Sequence, residues 1–138
     1  MLSKLLAPRR TVHAHCDLPC GVYDPAQARI EAESVKAIQQ KYQDADTAKK
    51  PSETTEDFKA RCLLIKEERA DLVKHHLWVL WTDYFKPEHT EKYPQLHELF
   101  WKATKEAGLA KKSQDPGQGQ KLLDQIDEIA KIFWETKS

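Results

Sequence analysis

Apolar positions recur at helical spacing in four stretches of this chain. The first opens at Asp24-Pro25, an N-cap aspartate followed by a proline at the first helical position. It runs to about Tyr42, with Ile30, Val35, Ile38 and Tyr42 marking one apolar side. The polar run DADTAKKPSE then reads as a loop. A long second helix is expected from about Thr54 to Phe85, opened by Thr54-x-x-Asp57 in the manner of a capping box. Phe58, Cys62, Ile65, Leu72, His76 and Val79 recur along it at three-, four- or seven-residue steps, and Pro87 helps to close it. A third helix, Gln95 to Ala107, turns Leu96, Leu99, Phe100 and Ala103 inward, with Gly108 as its expected C-cap. After the loop SQDPGQGQ, where Asp115-Pro116 repeats the cap-plus-proline start, Leu122, Ile126, Ile129 and Phe133 define a fourth. No alternating strand pattern or hairpin turn competes. The pattern predicts an all-α fold, a four-helix bundle.

Length and charge narrow this picture. A chain of 138 residues is expected to form one domain around a single core. Charged residues make up 32% and mean hydropathy is −0.73, which places the chain in the soluble class. No stretch approaches the roughly 18 apolar residues of a membrane span. A formal charge of zero argues against a general nucleic-acid binder. Three cysteines cannot all pair within one chain, and a domain of this length needs no disulfide scaffold. A reduced, cytoplasmic setting is therefore expected.

The first fourteen residues stand apart. They carry Lys4, Arg9 and Arg10 and no acid, so the remainder holds 19 basic against 22 acidic residues, a net charge of −3. The apolar run Leu5-Leu6-Ala7 is broken by Pro8 and is too short for a secretory signal core of roughly 7–15 residues. Val12-x-Ala14 nevertheless puts small or modest side chains where a signal-peptidase-like protease would cut before His15. Residues 1–14 therefore read as a propeptide, with an unprocessed N-terminal extension as the plainer alternative.

Several chemically suggestive residues on the helices have ordinary explanations. His75 and His76 are adjacent, so their side chains point about 100° apart and cannot chelate one metal as an i, i+4 pair could. Trp78 and Trp81, an i, i+3 pair, read as core or subunit interface, and Cys62 as a buried, inert thiol.

The segment HAHCDLPCGVYDP, residues 13–25, is different. Cys16 and Cys20 are four apart, but Pro19 and Gly21 make a helix between them improbable and a tight loop better. A disulfide could form there. Zinc could bind too, although His15, Cys16 and Cys20 supply only three side chains and the CxxC knuckle spacing is absent. Cleavage between Ala14 and His15 would add a further ligand, because the His15 nitrogen becomes a free amine. That amine and the Cys16 amide nitrogen close a five-membered chelate, and the Cys16 sulfur closes a second ring fused to it. Cys20 completes a plane of two nitrogens and two sulfurs, with the His15 imidazole within reach of an axial position. Such a plane suits Ni(II), and an added axial nitrogen suits Ni(III). Copper competes on affinity, while zinc prefers a tetrahedron and has no redox chemistry.

HCDLPCGVY, His15 to Tyr23, resembles the nickel hook of nickel-containing superoxide dismutases, and the resemblance continues through DPAQARIEAESVKA, KEERADLVKHH, LWTDYFKPEH, EKYPQLH and KIFWETK. It spans nearly the whole chain and includes a short propeptide; the main departure is a longer loop around Asp44–Asp57. The resemblance implies residues 1–14 as propeptide removed by a processing peptidase, 15–23 as the hook and 24–138 as the bundle. It implies dismutation of superoxide to dioxygen and hydrogen peroxide by Ni(III)/Ni(II) cycling, one nickel per subunit, in a homohexamer. Carried over by position, His15, Cys16 and Cys20 are metal ligands, and Glu31 and Arg69 orient the axial imidazole. Tyr23 and Asp17 border a small-anion channel, Tyr84 completes its wall and Lys86 draws in the anion. Two other readings stand beside this one: a non-catalytic metal carrier or sensor using the same hook, and a helical interaction module whose hook is a disulfide loop.

Overall fold

A computed structural model of the chain describes residues 20–138. Among them lie α1 (Ala26–Gln43), α2 (Ala45–Ala48), α3 (Thr55–Val79) continued by a π-helical turn (Leu80–Tyr84), α4 (Pro87–Lys92), α5 (Leu96–Lys112) and α6 (Pro116–Lys137), with no strand. The four long helices form the expected bundle. α1 packs on α3 and α6, α5 packs on α3 and α6, and the diagonal pair α1 and α5 scarcely touch. Cross-helix bonds fix the directions. Arg29 reaches Asp127 while Lys36 reaches Gln120, so α1 and α6 run antiparallel. Glu31 pairs with Arg69, near the middle of α3, and Tyr84 with Thr136, joining the C-terminal ends of α3 and α6. The start of α1 and the ends of α3 and α6 therefore share one pole of the bundle.

The predicted helix starts are capped largely as their sequences suggest. The Asp24 carboxylate accepts from the Ala26 N–H at 2.8 Å, Thr54 Oγ1 from Asp57 N–H at 3.1 Å, and Asp115 Oδ1 from Gly117 N–H at 2.9 Å. Each satisfies a backbone donor that the first turn leaves orphaned. The core is one cluster: Ala28, Ala32 and Val35 of α1, Ala70, Val73 and Leu77 of α3, Leu96 to Ala110 of α5, and Leu122 to Phe133 of α6. Alanines on α1 and α5 let the helix axes approach closely.

Four expectations need correction. Ile30 is 58% exposed, so the buried side of α1 is instead Ala28, Ala32, Val35 and Gln39. On α3 the inward positions are Cys62, Lys66, Ala70, Val73 and Leu77, and Ile65 lies outside them; a buried lysine in that row disguised the stripe. The DADTAKKPSE loop contains α2, which buries Ala45 and is tied down by Thr55 Oγ1 to Asp46 Oδ1 at 2.6 Å. Finally, Gly108 is not a C-cap, because α5 continues to Lys112. Side chains from other helices take over its cap. The Lys66 ammonium donates to Ser113 O at 2.6 Å, and Gln39 Nε2 donates to Ala110 O and Ser113 O at 3.2 and 3.1 Å. These groups satisfy carbonyls that a helix end would otherwise leave bare, and the cation also suits the negative end of the helix.

Two glycines on the same bundle should respond to alanine in opposite directions. A Cβ at Gly119 would stand 2.5 Å from Gln39 Oε1 and 2.8 Å from the Lys36 Cα, so α1 and α6 would have to part. Gly119→Ala is expected to lower stability by about 1–3 kcal/mol. At Gly108, inside α5, the nearest atom is the flexible Lys74 Nζ at 3.4 Å, and Gly108→Ala should raise stability by up to about 1 kcal/mol. Urea unfolding of the two variants measures both signs. A pH effect follows from Lys66. Burial pushes its pKa below the ordinary lysine value of 10.5, so the native chain binds fewer protons than the unfolded chain just under that pH. Stability then rises with pH across this window. The unfolding free energy of the wild type minus that of Lys66→Met should climb as pH approaches 10.5 and level off beyond it; a flat difference would contradict the burial effect.

Candidate metal centre and anion pocket

Residues 20–24 lead into α1 without helical structure. Cys20 is exposed, and its Sγ accepts from the Val22 N–H at 3.4 Å. Gly21 between them has φ +70°, the left-handed conformation that a residue with a Cβ resists, so the chain turns sharply there. Beyond the turn, the half-buried Tyr23 packs onto the bundle core.

The opposite wall comes from the end of α3. Its last turn widens into the π-helical segment, closed by the Phe85 N–H donating to Leu80 O at 3.0 Å. The extra residue this takes up lets Leu80 and Phe85 both enter the core while Tyr84 stays half-buried at its rim; such turns are frequent at functional sites. Phe85 is extended, and Pro87, which cannot donate a backbone N–H, opens α4. Lys86 caps that helix, with its N–H donating to His89 Nδ1 at 3.1 Å. A neutral His89 ring therefore carries its proton on Nε2.

Tyr84 is held on every side. Its ring centroid lies 4.4 Å from Phe133, 5.0 Å from Phe85 and 5.7 Å from Tyr23. His89 stacks nearly parallel to it at 5.7 Å, and the Lys137 ammonium sits 5.1 Å from its centroid. The hydroxyl makes a 2.6 Å hydrogen bond with Thr136 Oγ1. Around this ring opens a cavity of about 320 Å³ lined by Gly21, Tyr23, Asp83, Tyr84, Lys86, His89 and Lys137. Two ammonium groups face one carboxylate, so the lining carries net positive charge and suits a small anion.

The structure thus brings Tyr23, Tyr84 and Lys86 into one cavity, beside the turn that follows Cys20. Glu31 and Arg69 meet elsewhere, between α1 and α3. The Arg69 guanidinium donates to Glu31 Oε1 and Oε2 at 3.3 and 3.2 Å and to Glu68 at 3.4 Å. Ala14, His15, Cys16 and Asp17 lie outside the described residues, as does the segment up to residue 19, and with them the expected cleavage site. Among the described residues no group of three or more His, Cys, Asp or Glu could hold a metal. His89, Thr136 and Lys137 were not anticipated. KPEH, with proline at the first helical position and histidine two residues later, carried the local signal for His89, and nothing local marked the other two.

The residues given ordinary explanations have ordinary surroundings. Cys62 is buried, and burial pushes its thiol pKa up, as an inert core thiol requires. The His75 and His76 rings meet at 71°, edge to face. Trp81 packs on Phe100 and His97, while Trp78 is 54% exposed, which leaves the interface half of its reading.

Residues 10–137 match the family of nickel-containing superoxide dismutases. The chain belongs to that family. It is 60% identical over 137 residues to the superoxide dismutase [Ni] of Streptomyces coelicolor, covering 99% of this chain and 98% of the relative. The superoxide dismutase [Ni] of Streptomyces seoulensis is 61% identical over the same length and coverage. Among solved structures, a native nickel superoxide dismutase superposes with a TM-score of 0.79 at 60% identity, over 89% of this chain and 98% of that one. Another, with nickel ligation corresponding to the oxidized state, gives 0.81 at 61% identity over the same shares. The all-α bundle described above is thus the fold of nickel superoxide dismutases. Nickel is its cofactor. The donor chemistry fits this metal: Cys20 offers an exposed thiol on a left-handed turn, and a thiolate is a good ligand for nickel.

Proposed function

We infer that this nickel superoxide dismutase holds its metal through His15, Cys16 and Cys20, once residues 1–14 have been removed and the His15 amine is free. The reaction converts two superoxide anions and two protons into dioxygen and hydrogen peroxide. Nickel supplies the redox couple, alternating between III and II. The observation that carries the residue assignment is the position of the cationic aromatic cavity. Its lining begins at Gly21, the residue after Cys20, so an anion inside it is next to the hook.

The remaining roles rest on the family resemblance, with support from the described residues. Tyr23 and Tyr84 form aromatic walls of the cavity, and by the family resemblance Asp17 adds to the border. Lys86 draws in the anion; since the chain without its leader is net acidic, attraction must be local. Arg69 fixes the Glu31 carboxylate, and Glu31 accepts the second N–H of the His15 imidazole, an arrangement that commonly orients metal-bound histidines. Exposed Ile30, Leu64, Trp78, Trp101, Leu109 and Trp134 leave apolar surface for assembly, consistent with a homohexamer carrying one nickel per subunit. No helix among the described residues is long and apolar enough to cross a membrane, and a cytoplasmic location is part of this reading.

Intact mass and elemental analysis, on protein from a nickel-supplied native host, test the assignment. A chain beginning at His15 with about one nickel per subunit and superoxide turnover is expected. A mature chain beginning at His15 that holds zinc or no metal would overturn it. Lys86→Gln should flatten the ionic-strength dependence of kcat/KM more than it lowers the maximum rate. An unchanged salt dependence would remove Lys86 from anion attraction.

A further inference from the structure

The Tyr84 phenol has one proton, and the hydrogen bonds around it decide where that proton points. Its oxygen lies 2.6 Å from Thr136 Oγ1, a contact in which either hydroxyl could donate. The second bond of Thr136 removes the ambiguity. Thr136 Oγ1 also lies 2.6 Å from Phe133 O, a carbonyl that can only accept. A threonine hydroxyl has a single proton. Once it is given to Phe133 O, Thr136 can only accept from Tyr84. The chain of bonds therefore runs in one direction, from Tyr84 to Thr136 to the α6 backbone.

We propose that Thr136 is a positioning residue that withdraws the Tyr84 proton from the cavity. Tyr84 then presents oxygen lone pairs and a ring edge to an approaching anion. It neither donates a hydrogen bond to that anion nor supplies it a proton from this arrangement. The donors left on the lining include the Lys86 and Lys137 ammonium groups, the Nε2–H of a neutral His89 and the Tyr23 hydroxyl. The result is a filter with direction. Cations attract the anion while the phenol oxygen discourages it from settling, which favours passage over retention. This inference rests on the reading of the cavity as the path of superoxide.

Resonance Raman spectroscopy of the tyrosines, excited in the ultraviolet, reads the bond directly on the nickel-loaded enzyme. The intensity ratio of the ring doublet is low for a donating phenol and higher for one that does not donate, and subtraction of Tyr84→Phe isolates the Tyr84 signal. Thr136→Val keeps the shape of the side chain and abolishes the acceptor, whereas Thr136→Ser keeps the acceptor. The wild type and Thr136→Ser are expected to show a donating Tyr84 with a low ratio, and Thr136→Val a raised ratio. Azide, a small singly charged anion, serves as the probe of the cavity. With the proton released toward it, competitive inhibition by azide should tighten by about five- to tenfold in Thr136→Val and stay unchanged in Thr136→Ser. A doublet ratio that is high in the wild type, or unchanged in Thr136→Val, would overturn the proposal. A shifted doublet with unchanged azide inhibition would uphold the bond and overturn the reading of the cavity as an anion path.

Discussion

The packing of Tyr84 against Phe133, at 4.4 Å, joins the end of the third long helix to the end of the last. The lining of the cavity is referred to that contact. Tyr23 leans on Tyr84, His89 stacks on it, and Lys137 stands over it. An antiparallel neighbour starts at the same pole, which is why the residues leading out of the hook arrive beside this ring. A functional end can be precise only when the elements carrying it are held from outside the site. Here the hold is aromatic and anchored on the buried Phe133 and Phe85, with few rotamers to choose from.

The other pole is secured by polar groups. Lys66 and Gln39 are both buried, and both spend their donors on the carbonyls at the end of α5. A charged amine in a core is costly unless it is well bonded. Its partner here is a backbone acceptor in register with one helix end, so it specifies where α5 stops as well as how α3 and α5 align. Gly119 adds a second alignment, because only a residue without a Cβ lets α6 lie so close to α1.

Much of this was legible in the chain. The four long helices and their starts followed from proline, capping residues and apolar spacing such as that of Leu122, Ile126, Ile129 and Phe133, all four of them fully buried. The hidden parts were those where hydrophobicity and burial disagree. Lys66 occupies a core position that a search for apolar residues passes over, and Ile30 is apolar but faces outward. Gly108 looked like a stop because the groups that extend α5 beyond it come from α1 and α3, at sequence distances no local pattern records. At the site, Tyr23, Tyr84 and Lys86 were named from motif resemblance and do meet in one cavity. Thr136 and Lys137 reach it only because α3 and α6 finish side by side, a fact of tertiary geometry.

The short helix α2 and the turn after it lie at the pole away from this cavity. Ala45 is buried there, and the segment is bridged to α3 by Thr55 to Asp46 and by Arg61 to Glu53, at 2.6 Å each. Added length is thus absorbed as local structure instead of hanging loose. The exposed residues Lys50 to Ser52 consequently offer a place to attach a label or a tether. Whatever is grafted there would hang from the back of the molecule, with the height of the bundle between it and the aromatic cavity.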